Sequence, residues 1–298
     1  MNWASYATHW DEFIEKWVKD PIALAQRDPL LSGRIVMDEI LDLPEPYYGD
    51  ILSSSVFDAV ILNLNPGLSA SNEWVKYHCF MDNPNAFIAH ELKGNVSLGC
   101  YQRINQLFNP LRKESLSSIP GKEWWERHRF EWLDTFYPSG GRSNGGYNQN
   151  NVLALEFSPW HSKESTIRIK KTTDPRLLSY IATFIVDPLS DAIRRSKLKG
   201  KRTGSPFGLC FSRVVHNCLI DHFDFTPVSR WDAKTASVVG GWPYNKSGKP
   251  KNRTYSLIEG IDSNNNKFLL LCLWYANIGV KAPSKEFAIV EQFILNQI

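Results

Sequence analysis

The feature that most constrains this chain is a pair of short, unbroken apolar runs, each stopped by a proline. Phe57-Asp-Ala-Val-Ile-Leu-Asn-Leu64 runs into Asn65-Pro66-Gly67, and Val152-Leu-Ala-Leu-Glu-Phe157 runs into Ser158-Pro159. Residues that are apolar at consecutive rather than alternate positions suit a strand buried on both faces. Strands of that kind belong to parallel sheets covered by helices. Proline has no N–H to continue a ladder, so it closes each run.

Helical periodicity surrounds these runs. Segments 8–19 and 21–27 read as helices, with Trp10, Phe13, Ile14 and Trp17 on one face, and 98–110, 122–133, 176–196 and 284–297 read the same way. Phe207–Val215 reads as a third strand. Tyr255–Gly260 and Lys267–Trp274 flank Asp262-Ser-Asn-Asn-Asn266 as a hairpin, and the second of them, the most apolar run, reads as a central strand. Residues 138–151 read as a Gly/Asn-rich loop leading into the Val152 strand. Strands alternating with helices predict an α/β sandwich on a parallel sheet.

In such sheets ligands sit beyond the carboxyl ends of the strands. That rule selects loops 63–80, 156–163 and 275–285, and with them Asn63, Asn65, Glu156, Ser158, His161, Tyr275 and Asn277. Charge adds two basic runs: Arg194, Arg195, Lys197, Lys199, Lys201 and Arg202, then Lys246, Lys249, Lys251 and Arg253. Either could meet phosphates, and either could be a solvated surface. The net charge of +3 decides nothing by itself.

Several classes are disfavoured. The five cysteines have neither CxxC pairing nor metal-site spacing, so no metal, no cofactor and no disulfide framework is expected. His216, His222 and Asp224 read as packing residues rather than metal ligands. No apolar run has membrane-spanning length, and the amphipathic start lacks a signal-peptide core, so a cytoplasmic, monomeric protein with no membrane partner is the expectation. There is no G-x-S-x-G elbow, Walker loop or dinucleotide fingerprint to support a small-molecule hydrolase.

Asn63-Leu-Asn-Pro-Gly67 after a buried strand resembles the first motif of the uracil-DNA glycosylase superfamily, in its mismatch-specific and single-strand-selective branches. Val152-Leu-Ala-Leu-Glu-Phe-Ser-Pro159 resembles the family strand that ends in a base-reading Asn followed by Cys or Ser and Pro. The layout agrees over roughly 55–298, with specificity in those two motifs. The resemblance implies one glycosylase-like domain over 1–298, a three-layer α/β/α sandwich on a central, mostly parallel four-stranded sheet. Residues 1–50 would be an N-terminal helical extension, and 239–266 a basic loop and hairpin insertion.

It also implies roles. Asn65 would position the attacking water; Tyr77 or Phe80 would stack on a flipped base; Glu156, with Asn63, Ser158 and His161, would contact that base. Tyr275, Asn277 and Ile278 would meet or wedge the DNA, and Lys249, Lys251 and Arg253 would hold phosphate. The chain departs from the pattern in three places. Asn63 replaces a Gly, Tyr275-Ala-Asn-Ile-Gly-Val280 replaces a His-Pro-Ser motif, and Glu156 replaces the Asn reader. An ionised carboxylate only accepts hydrogen bonds, so it should repel uracil O4 and accept from the amino group of a cytosine. A cytosine with a bulky 5-substituent, such as the glucosylated hydroxymethylcytosine of phage DNA, is then the expected substrate in an antiviral defence role, with loop 138–151 making room for the sugar. A repair glycosylase for uracil or damaged bases, and an inactive DNA-binding module of the same fold, remain the alternatives.

Overall fold

The two proline-closed runs form neighbouring parallel strands. The computed structural model describes residues 1–31, 40, 44–52, 56–64, 124–137, 145–160, 174–232, 253–275, 296 and 298. In chain order the strands are β1 (Tyr47–Tyr48), β2 (Ala59–Asn63), β3 (Val152–Glu156), β4 (Phe207–Cys210), β5 (Thr226–Asp232), β6 (Arg253–Ile261) and β7 (Lys267–Tyr275). They form one sheet in the order β1-β3-β2-β4-β7-β6-β5. The ladders β3–β2, β2–β4 and β4–β7 are parallel, and β1–β3, β7–β6 and β6–β5 are antiparallel.

The α/β class is as expected, but the sheet is not a mostly parallel one of four strands. Among the described residues it has seven, and half of their ladders are antiparallel. The cause is the hairpin: β6 pairs with β7 from Arg253 opposite Tyr275 to Ile261 opposite Lys267, and β5 adds to β6. Arg253–Ile261, within the stretch 239–266 read as a basic loop and hairpin, is a strand of this main sheet. The third strand also stops earlier than expected. It ends at Cys210, because the Ser212 side chain accepts from the Val215 N–H and starts a helix there.

Period-two alternation divides the strand residues between two layers. Val60, Leu62, Leu153, Leu155, Cys210 and Cys272 face one side. That side is covered by α1 (Trp3–Lys19), α2 (Pro21–Arg27), α4 (Pro175–Ile181), α5 (Asp187–Arg194) and α6 (Arg213–His222). Ala59, Ile61, Val152, Ala154, Leu209 and Leu271 face the other side, against Trp125, Phe130, Trp132 and Leu133 from a helical segment that ends in α3 (Glu131–Phe136). Helices therefore pack on both faces. Each Leu, Ile or Val so buried contributes roughly 1.5–3 kcal/mol, which is why the sheet centre is aliphatic.

Local chemistry starts and bends the helices. Asp20 ends α1 and caps α2, where Pro21 fills the first-turn position that needs no N–H. Between α4 and α5 the helix widens into a π turn at Ala182–Val186. Pro188 follows it and has no N–H to give the carbonyl of Phe184, four residues back. The Tyr6 hydroxyl donates to that carbonyl at 3.3 Å and so joins α1 to the bend. Gly208 lets α5 lie close on β4, since a Cβ there would fall 2.6 Å from Ile193 Cδ1. No described helix is long and apolar enough to cross a membrane.

One histidine ties this layer to pH. The His9 ring stacks on Phe184 with centroids 3.9 Å apart. Burial, aided by the charge of Lys16, lowers its pKa to about 4. The unfolded chain, with an ordinary histidine near 6.5, takes up the proton first. Stability contributed by the neutral ring is thus complete above about pH 6.5, and is lost as pH falls toward 4. We expect urea unfolding at pH 4.5 to show about 1–2 kcal/mol less stability from this group than at pH 7.5, a difference that His9→Phe removes. An identical pH response in the variant would assign the loss elsewhere.

Candidate functional site

The parallel β2–β3 ladder ends with Asn63 directly opposite Glu156. Both side chains are buried, at 4% and 3% exposure, where aliphatic residues fill the rest of the two strands. Asn63 Nδ2 donates to Glu156 Oε1 at 2.9 Å. Asn63 Oδ1 accepts from Arg129 Nε at 3.0 Å. Arg129 lies in the π turn Glu126–Phe130 that precedes α3, and its guanidinium carbon sits 4.3 Å from the Trp124 ring centre and 4.1 Å from that of Phe211. The result is a chain of donors and acceptors: guanidinium, amide, carboxylate.

The topology places this chain where a crevice forms. Counting parallel strands alone, the order is β3-β2-β4-β7. The path out of β2 returns through α3 on one face, and the path out of β4 enters α6 on the other. Connections that diverge in this way leave a cleft beyond the carboxyl ends of the two strands. Asn63 ends β2, and Phe211 follows β4, with its N–H donating to the Leu62 carbonyl at 3.3 Å. Arg129 thus bridges the carboxyl ends of β2 and β4.

The other expected residues divide clearly. Ser158 has its Oγ occupied by the Trp160 N–H at 3.3 Å, and its own N–H donates to the Leu64 carbonyl at 2.9 Å, so it shapes the turn after β3. Trp160 is pinned in turn, its indole donating to Asp28 at 2.8 Å. Burial raises the pKa of that Asp28 carboxyl, against the opposing effect of the Trp160 hydrogen bond. Arg253 and Tyr275 face each other on the last rung of the β6–β7 ladder, at the same edge of the sheet as Asn63. Two strand spacings separate β7 from β2, about 10 Å. Asn65, Tyr77, Phe80, His161, Lys249, Lys251, Asn277 and Ile278 lie outside the described residues.

Two expectations change. Residues 145–151, the described part of the Gly/Asn-rich loop, enter β3 at its amino end, where the Asn148 N–H donates to Asp58 at 2.5 Å. Five strand residues, on the order of 13 Å, separate that end from Glu156, so this part of the loop does not adjoin it. The basic run 194–202 also lies at the amino edge, and three of its six cations have acidic partners: Arg194 and Arg195 reach Asp191 at 3.3 and 2.9 Å, and Lys197 reaches Asp58 at 2.6 Å. It does not line the cleft.

His216 shows why a triad-like geometry is not a site. Its Nδ1–H donates to Asn217 Oδ1 at 3.0 Å, which leaves Nε2 to accept from Ser256 Oγ at 3.3 Å. Ser256 is wholly buried, and the imidazole packs on Trp274 with centroids 4.5 Å apart. Burial outweighs the Asn217 hydrogen bond and, with Arg230 and Arg213, lowers the histidine pKa. The group is structural, as expected of His216. Among the described residues no three His, Cys, Asp or Glu side chains cluster to hold a metal ion.

No protein-family model, curated protein or solved structure matches this chain. Arg129, Trp124 and Phe211 are the site residues that sequence reasoning missed. The signal was Trp124-Trp-Glu-Arg-His-Arg-Phe130, two aromatics with arginines one helical turn on. Asn63→Leu should cost about 2–4 kcal/mol, since it strands buried polar partners. In a double-mutant cycle with Arg129→Met the coupling should be about 1–3 kcal/mol by urea unfolding. A coupling of zero would mean that the two side chains are not bonded.

Proposed function

We propose that this protein is a DNA N-glycosylase that removes an amino-bearing pyrimidine, a cytosine with a bulky 5-substituent such as glucosylated hydroxymethylcytosine, and leaves an abasic site. The observation that carries this reading is the buried Asn63–Glu156 pair, in register at the carboxyl ends of β2 and β3 beside the cleft. Asn63 and Glu156, one from each of the two motifs that suggested a base-excising enzyme, are thereby neighbours. A carboxylate that already accepts from an amide N–H is an acceptor group, suited to an exocyclic amino group and unsuited to a carbonyl oxygen.

The chemistry assigned to the residues is modest in its demands. The target nucleotide leaves the stack at a cost of a few kcal/mol. Phe80 or Tyr77 stacks on it, and Glu156, with Asn63 and His161, reads its edge. Asn65, two residues past the end of β2, positions water beneath C1′ while the glycosidic bond breaks and leaves an oxocarbenium-like sugar. An amide is a weak base, so rate enhancement rests on positioning and electrostatics. Ile278, flanked by Asn277 and near Tyr275, fills the gap in the duplex; Lys249, Lys251 and Arg253 hold phosphate and make binding salt-dependent. No lysine is assigned as nucleophile, so strand cleavage is not part of the reaction.

A second reading, a DNA-binding module without catalysis, is favoured by one observation. Asn63 and Glu156 bond to each other and expose almost no surface. One experiment separates the readings. Purified protein is incubated with uracil-containing DNA, unmodified DNA and phage DNA carrying glucosylated hydroxymethylcytosine, and abasic sites are revealed by alkali. Cleavage confined to the phage DNA and lost in Asn65→Ala is the expected result. Cleavage of uracil DNA would overturn the choice of base, magnesium-dependent nicking would indicate a nuclease, and retention of DNA without product would indicate the binding module.

A further inference from the structure

We infer that Arg129 is a positioning residue that sets which base edge this site reads, by fixing the direction of the hydrogen-bond chain that runs through Asn63 to position 156. The inference rests on the glycosylase reading and names the determinant of its specificity. A guanidinium carries only donors, so the Asn63 atom that faces Arg129 Nε must be the amide oxygen. The amide nitrogen is then turned toward Glu156, as the 2.9 Å contact records. Trp124 and Phe211 hold the guanidinium between them, one ring from the helical face and one from the end of β4. The anchor of the chain is therefore fixed from both sides of the cleft.

Direction has a chemical consequence. Asn63 spends one N–H on Glu156 and keeps a second. The pair thus offers an acceptor, the carboxylate, next to a donor, the remaining amide N–H. The complementary ligand edge carries an amino group beside a ring nitrogen acceptor, which is N4 and N3 of a cytosine. Uracil has the reverse order, a carbonyl oxygen beside N–H, and meets acceptor with acceptor and donor with donor. Glu156 alone would supply half of this code. Arg129, acting through Asn63, supplies the other half.

The chain also dictates what a substitution at 156 must do. In Glu156→Gln the new amide could face Asn63 with either end. Because Arg129 keeps the Asn63 N–H2 pointed at position 156, the glutamine oxygen has to face Asn63, and the glutamine N–H2 becomes a donor toward the base. The site then offers two donors, one match each for a uracil (O4) and a cytosine (N3), so the wild-type preference for cytosine is lost. With Arg129 removed as well, its hold on the Asn63 amide is gone, and the turned-over order, with the glutamine oxygen toward the base, becomes accessible.

The test compares wild type, Glu156→Gln, and Glu156→Gln combined with Arg129→Met or with Arg129→Lys, by single-turnover excision from oligonucleotides carrying hydroxymethylcytosine or hydroxymethyluracil. Methionine keeps an apolar side chain between Trp124 and Phe211; lysine restores a donor. We expect Glu156→Gln to shift the ratio of the two rates at least tenfold toward hydroxymethyluracil. Arg129→Met should move the ratio back toward hydroxymethylcytosine by about threefold or more, and Arg129→Lys should keep the shift. A ratio that ignores Arg129→Met overturns the inference and leaves the glycosylase reading standing. Hydrogen exchange of the Asn63 side-chain N–H2, followed by NMR on 15N-labelled protein, reads the same chain without catalysis. Exchange should accelerate at least tenfold in Arg129→Met and not in Arg129→Lys. If no DNA is cleaved but exchange responds in this way, the positioning role holds and the glycosylase reading falls; unchanged exchange overturns the positioning role.

Discussion

The parallel register of β2 and β3 is the constraint on which the rest of this structure depends. Ala59 lies opposite Val152, and four rungs later Asn63 lies opposite Glu156. Period-two alternation means that a slip of one residue would move every side chain to the other face. Val60 and Leu62 would then leave the α1 layer, and the Asn63–Glu156 bond would be lost. The aliphatic residues that face the two helical layers are therefore also what align the polar pair. Packing energy, large and undirected, is converted into the placement of two atoms 2.9 Å apart.

Much of this was legible in the sequence because it follows from patterns that tertiary structure does not override. Unbroken aliphatic runs read correctly as buried strands at β2, β3 and β7. The break read between helices 8–19 and 21–27 falls at Asp20, whose side chain caps the second of them. The failures have physical causes. Thr226–Asp232 is too polar, and carries Pro227, which spoils a strand reading; yet β5 is an edge strand, where a missing N–H costs little. Phe207–Val215 reads as one strand because apolar residues continue past Cys210, and the capping hydroxyl of Ser212 was the only sign of a helix. Tyr47–Tyr48 is too short to register as a strand at all.

The candidate site was legible to the extent that it depends on strand order. The rule that ligands lie beyond carboxyl ends selected Asn63 and Glu156 without any contact being known. The same rule, applied consistently, sets residues 145–151 apart from that edge, because the stretch that leads into a strand lies at its amino end. Its composition, rich in Gly and Asn, drew attention that its position did not warrant. The basic run 194–202 misleads in a similar way: linear charge density says nothing of the acids that the fold brings beside it, here Asp58 and Asp191. Arg129 was missed for the converse reason: the aromatic–arginine cluster around it says nothing of its partners Asn63 and Phe211, which are 66 and 82 positions away (129 − 63 and 211 − 129).

The makeup of the cleft bears on what it is for. Moving a carboxylate out of water costs several kcal/mol even after relaxation, and an amide and a guanidinium return only part of that. A leucine pair at 63 and 156 would continue the aliphatic strands and stabilise the fold at least as well. A chain of one guanidinium, one amide and one carboxylate is thus a poor choice for stability alone, and stability alone would not keep it at the ends of two central strands. What such a chain does well is hold donors and acceptors in a fixed order against turnover, because each member constrains the next. Order of that kind has value where a ligand must be told from one that differs only in the exchange of a donor for an acceptor.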